Sequence, residues 1–364
     1  MQTTKDLIEL TIDSLSYNGG RGVGRFEGVV VFVPQTAPGD VVSVKITNKK
    51  ARFWEGELVS VVKPSPHRRT PPCPVADRCG GCSWQHVSYE QQAVQKQKIL
   101  NDSLRPLRKF APWTELPFLA APEEFYYRNR VQVQMRGGKK GFFAKRSHDL
   151  VEVEKCWIAD EAINRQLRDL QAAPGETRRE LRVSEGRDFA QVNDKQNAVL
   201  QKRVVELITC TPDWLMDLYA GSGNLTEPLH RRFPNVPLTA VELSASAVDR
   251  GRRLLPDVDW RGGDVAQVLK TVRAAEMKME PFRSSDGVVV LDPPRTGCEP
   301  AVIEELLKHK PKQIVYVSCN PTTFARDAVK LVESGAYRVE NVQGLDMFPQ
   351  TEHVELIARL TQRD

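Results

Sequence analysis

The stretch VYVSCNPTTFARD, Val315 to Asp327, sets a cysteine directly after a run of β-branched and aromatic residues and directly before Asn320-Pro321. A thiol at the end of a buried strand is either a small apolar filler or a nucleophile presented to a cleft. As a thiolate, Cys319 can add to electron-poor carbon, but a free thiol is mostly protonated at neutral pH and must be activated. Such an adduct also needs a base that removes a proton before the sulfur can leave. Downstream, DMFPQTEHVEL offers Glu352 and Glu355 with His353 between them. If EHVEL is extended, alternation sends the two acids to opposite faces, and only one of them faces the site.

DLYAGSGNLT, Asp217 to Thr226, reads as a strand entering a glycine-rich turn and then a helix that begins near Asn224. Glycines such as Gly221 let backbone approach a ligand, and open sheets bind ligands at the carboxyl ends of their strands. A lone G-x-G is equally a tight turn. The next strand, LTAVEL, ends in Glu242, whose carboxylate can accept both hydroxyls of a ribose. A third strand precedes GGDV, where Asp264 can accept from an adenine amino group. A fourth ends in LDPPRTG, Leu291 to Gly297, whose two prolines stiffen a loop that holds Asp292 near the reacting atoms; the plainer role for Asp292 is a helix cap. Glycine turn, acid and acid at successive strand ends suit S-adenosylmethionine. A dinucleotide site prefers G-x-G-x-x-G opening a longer helix. Beside a sulfonium methyl, a thiolate has a clear use. Carbon 5 of uracil is a poor nucleophile, and thiolate addition at carbon 6 turns the ring into an enolate that can take the methyl. Cys319 is therefore read as the nucleophile, and Cys210 as a buried structural thiol.

A second group of cysteines lies in CPVADRCGGCSWQH. Cys73, Cys79 and Cys82 have five and then two residues between them, and Cys156 in VEKCWI is the remaining candidate ligand. Four thiolates suit tetrahedral zinc or an iron–sulfur cluster. Zinc sites more often use two close pairs, so three clustered cysteines with one remote favour the cluster. A radical enzyme would space three cysteines with three and then two residues between and leave one iron open. This spacing departs from that, and a fourth ligand closes the site, which points to a structural cluster.

Larger elements must position these groups. A chain of 364 residues can hold two or three domains, and 40 % hydrophobic with 27 % charged residues is a globular composition. No apolar run approaches a membrane span. MQTTKDLIEL lacks the basic-then-apolar order of a signal peptide, so a cytoplasmic protein with reduced thiols is expected. Residues 1–65 read as all β, with runs Leu7–Ile12, Val29–Val33 and Val41–Ile46 separated by NGGRGVG and APGD, which suggests a small barrel of the oligonucleotide-binding kind. KPSPHRRTPPCP reads as a linker. SYEQQAVQKQKILNDSLRPL predicts a helix with Val94, Ile99 and Leu104 on its apolar side until Pro106 breaks it. From about Asp188 strands alternate with helices, predicting a mainly parallel sheet with helices on both faces. The net charge of +5 is modest, but Arg128 to Arg146 holds seven basic residues and no acid. That run is either a solvated hairpin face or a surface for nucleic-acid phosphates, with Val131, Val133 and Met135 alternating inward. Tyr126, Tyr127, Phe142 and Phe143 beside it could stack bases or fill a core.

Together these motifs resemble the RNA 5-methyluridine (uracil-C5) methyltransferase family, in the branch with a TRAM domain and a [4Fe–4S] cluster, and the likeness covers nearly the whole chain. NGGRGVGRFEG looks like TRAM, which implies RNA binding. Cys73, Cys79, Cys82 and Cys156 look like the family's cluster ligands. FAQVN, Phe189 to Asn193, matches a segment whose glutamine, here Gln191, contacts the methyl donor. The resemblance implies further donor contacts at Tyr219 (where phenylalanine is common), Gly221, Asn224, Glu242, Asp264 and Asp292. SCNP matches the nucleophile motif at Cys319. In MFPQTEHVE the family's base is the acid after the histidine and one apolar residue, which makes it Glu355 and leaves Glu352 without that role.

The fold implied is α/β: a Rossmann-like class I S-adenosylmethionine-dependent methyltransferase domain with an N-terminal OB-like TRAM barrel and a small α+β iron–sulfur central domain. The barrel takes residues 1–65, the central domain 66–87 and 113–187, and the catalytic domain 88–112 and 188–364. The implied substrate is a folded RNA uridine flipped out of its stack. A 23S rRNA is favoured over tRNA, because cluster and TRAM accompany the ribosomal branch more often. A monomer with no membrane attachment is expected. The rival from another class is a noncatalytic RNA-binding or ribosome-assembly factor with a vestigial donor site.

Overall fold

The computed structural model describes residues 7–110, 112–173, 175–183, 191–275 and 286–363. The chain divides into two compact units. One contains Met1–Ile99, Ala121–Glu185 and Phe348–His353; the other contains Leu100–Ala120, Gly186–Met347 and Val354–Asp364. The domain boundary expected at residues 187 and 188 lies outside the described residues.

The chain opens with β1 (Leu7–Leu15), β2 (Gly22–Phe26), β3 (Val29–Val33), β4 (Val41–Lys49) and β5 (Phe53–Lys63), which close a barrel in the order β1-β2-β3-β5-β4. Alternation along each strand turns Leu10, Ile12, Val31, Val33, Val42 and Val44 into the barrel core. A Cβ at Gly24 would lie 2.4 Å from the Thr11 carbonyl oxygen, so glycine is needed for that strand approach. At the barrel's exit the buried Asp40 accepts from the Ala37 and Ser65 amides and pairs with Arg68 at 2.6 Å. Burial pushes its carboxyl up, but Arg68 and the two amides outweigh that and hold it below the usual carboxylate range.

Next come α1 (Tyr89–Ser103) and α2 (Arg105–Arg108). Pro106 sits in the first turn of α2, where its missing amide hydrogen costs nothing, so α1 ends at Ser103. Ile99 and Leu104 are buried as expected, but Val94 is 56 % exposed. The first half of the packed face is polar instead. Gln92 Nε2 donates to the carbonyls of Trp84 and Val87 and to Gln350 Oε1, and Lys96 Nζ donates to the Phe348 carbonyl at 2.9 Å.

After β6 (Thr114–Leu119), the strands β7 (Arg130–Arg136), β8 (Lys139–Phe143) and β9 (Leu150–Glu152), the helix α3 (Glu161–Asp169) and β10 (Arg178–Arg182) complete the first unit's elements. Their sheet has the order β10-β7-β8-β9. Val131, Val133 and Met135 point into its core with Ile163 and Leu167 of α3, which leaves Arg130 and Arg136 of β7 and Lys139 of β8 on the other face, whereas Lys140 sits opposite Met135 and donates to the carbonyls of Arg168 and Leu170. Tyr127 is buried and donates its hydroxyl to the Pro349 carbonyl, so it serves the core rather than a base.

The second unit continues with α4 (Asp194–Leu207), β11 (Trp214–Leu218), α5 (Thr226–Arg232), β12 (Leu238–Glu242), α6 (Ala245–Leu254), β13 (Asp259–Gly262) and α7 (Val265–Ala275). Then follow β14 (Gly287–Leu291), α8 (Pro300–His309), β15 (Gln313–Ser318), α9 (Pro321–Glu333), β16 (Tyr337–Leu345) and β17 (Glu355–Gln362). The eight-stranded sheet runs β13-β12-β11-β14-β15-β17-β16-β6. Its first five strands are parallel, as the alternation of strand and helix requires. β17 is inserted antiparallel between β15 and β16, and β6 joins β16 in parallel. This is the Rossmann-like methyltransferase fold, preceded by the expected OB-like barrel. Among the described residues no helix is long and apolar enough to cross a membrane.

In β14, a Cβ on Gly287 would lie 1.9 Å from ring atoms of the buried Trp214 on the adjacent strand. Gly287→Ala should therefore lower stability by about 1–3 kcal/mol through overpacking, read as a lower urea midpoint with an unchanged slope.

Candidate active site

β15 is buried along its whole length, and Cys319 is the first half-buried position beyond it. Asn320 ends the strand and starts α9: its side chain accepts from the Thr322 amide at 3.1 Å, with Pro321 in the first helical turn. β17 runs antiparallel beside β15 with Ser318 opposite Leu356. One step further along both strands, Cys319 and Glu355 come side by side at the rim. Glu355 is only 2 % exposed. Burial and the charge of Asp292 raise its carboxyl well above the ordinary range, with Arg295 opposing. Burial also pushes the Cys319 thiol up to about 11; Glu355 and Asp292 add to this and Arg295 counters it.

Arg295 is thus the cation common to Cys319 and Glu355, and the sequence alone assigned it no role. Its only signal was its place inside LDPPRTG. The loop is strapped to α9, because the Arg295 carbonyl accepts from Asn320 Nδ2 at 3.1 Å and Thr323 Oγ1 at 3.4 Å. Gly297 has φ 77°, and a Cβ there would stand 2.6 Å from atoms of Arg326 and Asp327, so the strap admits only glycine. Asp292 at the start of this loop does not take the capping role, since the N-cap position of α8 is Glu299. Burial pushes its carboxyl up to about 6.

The glycine turn after β11 has positive φ at Tyr219, Gly221 and Gly223. Glu242, at the end of β12, accepts from the Gly221 amide at 3.0 Å and from the Ser244 amide at 2.8 Å, which joins two strand ends. Asn224 is held by α4: its Oδ1 accepts from Asn197 at 2.8 Å, and its carbonyl accepts from Gln201 at 2.8 Å. Gln191 lies just before that helix and is half-buried, while Phe189 and Ala190 of the FAQVN segment lie outside the described residues. Asp264 accepts from the Gln267 amide at 3.0 Å and so opens α7. Asp217, quoted in the motif but given no role, is fully buried. Its Oδ2 accepts from the Thr226 hydroxyl at 2.6 Å and its Oδ1 has no partner. Burial pushes its carboxyl up to about 7, and the charges of Asp292 and Glu242 contribute. A buried Asp217 with an orphaned oxygen and two further carboxylates acting on it suits a positively charged ligand, which the sulfonium and ammonium groups of S-adenosylmethionine provide.

Glu352 is not part of this arrangement. It belongs to the first unit, where its Oε2 accepts from the Ser83 hydroxyl at 2.6 Å. His353, in the same unit, makes edge-on contacts with the rings of Tyr17 and Phe348. EHVEL is not one extended strand, because β17 begins only at Glu355.

Cys73, Cys79, Cys82 and Cys156 all line one cavity of about 50 Å³ in the first unit. The Gly81 amide donates to Cys79 Sγ at 3.4 Å, and Asn164 brackets the Cys156 main chain by accepting from its amide at 2.8 Å and donating to its carbonyl at 3.1 Å. Burial raises all four thiols, Cys82 to about 12. Among the described residues, no group of three or more His, Cys, Asp or Glu side chains is gathered so as to hold a metal ion.

Replacing the exposed Arg295 removes the charge that lowers the Cys319 thiol. In Arg295→Met, alkylation of Cys319 by iodoacetamide at pH 8.5, followed by peptide mass spectrometry, should slow by about two- to tenfold.

Comparison with known proteins agrees with this geometry. The family model of tRNA (Uracil-5-)-methyltransferases matches residues 263–363, and the TRAM domain model matches residues 4–59. An uncharacterized RNA methyltransferase of Bdellovibrio bacteriovorus is 37 % identical, over 97 % of this chain and 94 % of its own length. One from Thermosynechococcus vestitus is 32 % identical, over 97 % of this chain and 98 % of its own. Among solved structures, the Pyrococcus abyssi tRNA (uracil-54, C5)-methyltransferase in complex with S-adenosyl-L-homocysteine superposes with a TM-score of 0.70 at 24 % identity, covering 97 % of this chain and 100 % of that one, a likeness of fold. Whole-length identity to RNA methyltransferases, a TRAM barrel and a matched catalytic segment carry one conclusion: the chain belongs to the TRAM-containing RNA (uracil-5-)-methyltransferase family, enzymes that use S-adenosylmethionine.

Proposed function

We propose that Cys319 is the nucleophile and Glu355 the base in methylation of carbon 5 of an RNA uridine. The observation that carries this is the β15–β17 register, which sets the two side chains together at the rim with Arg295 acting on both. Cys319 loses its proton, and its sulfur bonds to carbon 6, so that the ring's double-bond electrons move toward carbon 5 and the carbonyl oxygen. S-adenosylmethionine supplies the methyl group that carbon 5 takes. Glu355 then removes the carbon-5 proton, the double bond re-forms, and the carbon–sulfur bond breaks to return the thiolate. A carboxyl raised by burial is a stronger base once ionised than an ordinary one, which suits a weakly acidic carbon-bound proton. Arg295 favours the thiolate at both ends of the cycle. Donor binding is assigned to Gln191, Tyr219, Gly221, Asn224, Glu242, Asp264 and Asp292, with Asp217 added.

The substrate reading shifts from 23S rRNA to tRNA, because the model matching the catalytic segment is that of tRNA (Uracil-5-)-methyltransferases. Within the first unit we assign RNA contact to the barrel and to the basic face of β7 and β8. The cysteine-bearing remainder of that unit is assigned an iron–sulfur cluster. Its donor set fits: four thiols share one cavity, and the buried Arg128 Nε that also lines it has no partner.

Two tests follow. Incubated with S-adenosylmethionine and purified tRNA or rRNA, Cys319→Ala should form neither adduct nor product, and Glu355→Gln should accumulate a covalent protein–RNA band stable in denaturing gels. Undiminished turnover in Cys319→Ala would remove the mechanism, and methylation of rRNA alone would return the substrate to the ribosome. The second concerns pH. Asp217 and Asp292 are raised to about 7 and about 6 from an ordinary 3.8, so the unliganded fold loses their contribution as pH rises through that window. A cation bound there favours the ionised forms. Affinity for S-adenosylmethionine by calorimetry should therefore rise between pH 5 and 8, with a limiting slope of about tenfold per pH unit for each coupled carboxylate.

A further inference from the structure

Arg128 occupies an unusual place. Its main chain is locked to the segment that carries Cys156: its amide donates to the Ile158 carbonyl at 2.8 Å, and its carbonyl accepts from the Asp160 amide at 2.9 Å. Its side chain turns into the cavity lined by Cys73, Cys79, Cys82 and Cys156. There Nε is buried without a hydrogen-bond partner, an arrangement a folded protein rarely leaves unanswered for a charged donor. Other cations nearby are differently engaged. Lys145 Nζ donates to the Ala76 carbonyl at 3.0 Å, and Lys155, on the cavity's lining, pairs with Glu161 at 2.9 Å. Asp77 is the acid that acts on the Cys73 thiol from the same loop.

We propose that Arg128 is a positioning residue for the iron–sulfur cluster, its Nε–H donating a charge-assisted hydrogen bond to a ligand sulfur and its charge offsetting part of the excess negative charge of four thiolates. The proposal rests on the cluster reading above. A hydrogen bond to sulfur and a nearby cation both favour the reduced cluster, since reduction adds one negative charge to a low-dielectric cavity. Removing them should therefore make the cluster harder to reduce.

The test uses the full chain, reconstituted anaerobically with iron and sulfide, as wild type, Arg128→Met and Arg128→Lys. Iron content, circular dichroism and a redox titration followed by visible absorption are measured on each. In Arg128→Met, iron content and dichroism should match wild type, while the ratio of reduced to oxidised cluster at a fixed potential should fall about tenfold, ~59 mV for one electron. Arg128→Lys, which keeps the charge but loses the directed N–H, should fall less. Iron lost from Arg128→Met but kept by Arg128→Lys also supports the role. An unmoved potential in a fully loaded Arg128→Met overturns it, as does loss of fold in both variants, which would mark Arg128 as mere packing. A wild-type chain that takes up no iron and sulfide sinks the cluster reading itself, and this proposal with it.

Discussion

Desolvation of acidic groups at one rim of the parallel sheet is the constraint on which the catalytic unit turns. Asp217, Asp292, Glu355 and Cys319 all lie where burial disfavours their ionised forms, and Arg295 is the cation that acts on both Cys319 and Glu355. Such a set is poorly satisfied as it stands, and Asp217 Oδ1 is orphaned outright. Folded proteins keep arrangements of this kind where a ligand completes them. A methyl donor carrying two positive charges and a base that must be activated through its ring both fit: one relieves the repulsion, and the other uses the thiol and carboxyl that the repulsion has tuned.

The backbone that creates this rim is conventional on one side and unusual on the other. Five parallel strands follow from short apolar runs alternating with helices. β17 then enters antiparallel between β15 and β16, and that reversal gives Cys319 and Glu355 their shared end of the sheet. Had β17 run parallel to β15, Glu355 at its start would stand at the opposite rim of the sheet from Cys319. The strap from Asn320 and Thr323 to the Arg295 carbonyl fixes the facing loop to the same helix that Cys319 precedes.

Much of this was legible from residue types. Cys319, the glycine turn, Glu242 and the LDPP loop are local signals, because a strand end followed by Gly or Pro is written in consecutive residues. Asp217 and Arg295 were inside quoted motifs yet unassigned, since their roles depend on charges that meet only after the sheet forms. The α1 helix misled for a different reason. An apolar stripe through Val94 was the natural reading, but ahead of Ile99 and Leu100 the buried face is Gln92, Gln95 and Lys96, satisfied by main-chain carbonyls, by the Leu15 amide and by Gln350, more than 250 positions later. Hydrophobic periodicity cannot register a face whose partners are polar and remote. EHVEL failed likewise: Ser83 holds Glu352 outside any strand, so alternation had nothing to act on. Substrate choice, too, is carried by no short motif here.

The six residues Phe348–His353 belong with the N-terminal unit, although the chain on both sides of them belongs to the other. Gln350 is fully buried there, with its side chain joined to Gln92, Arg69 and Glu124. During synthesis, then, the unit begun first cannot be finished until Phe348–His353 have left the ribosome. Until that moment the polar face of α1 lacks its closing partner, and the nascent unit waits on a glutamine more than 250 positions further along the chain.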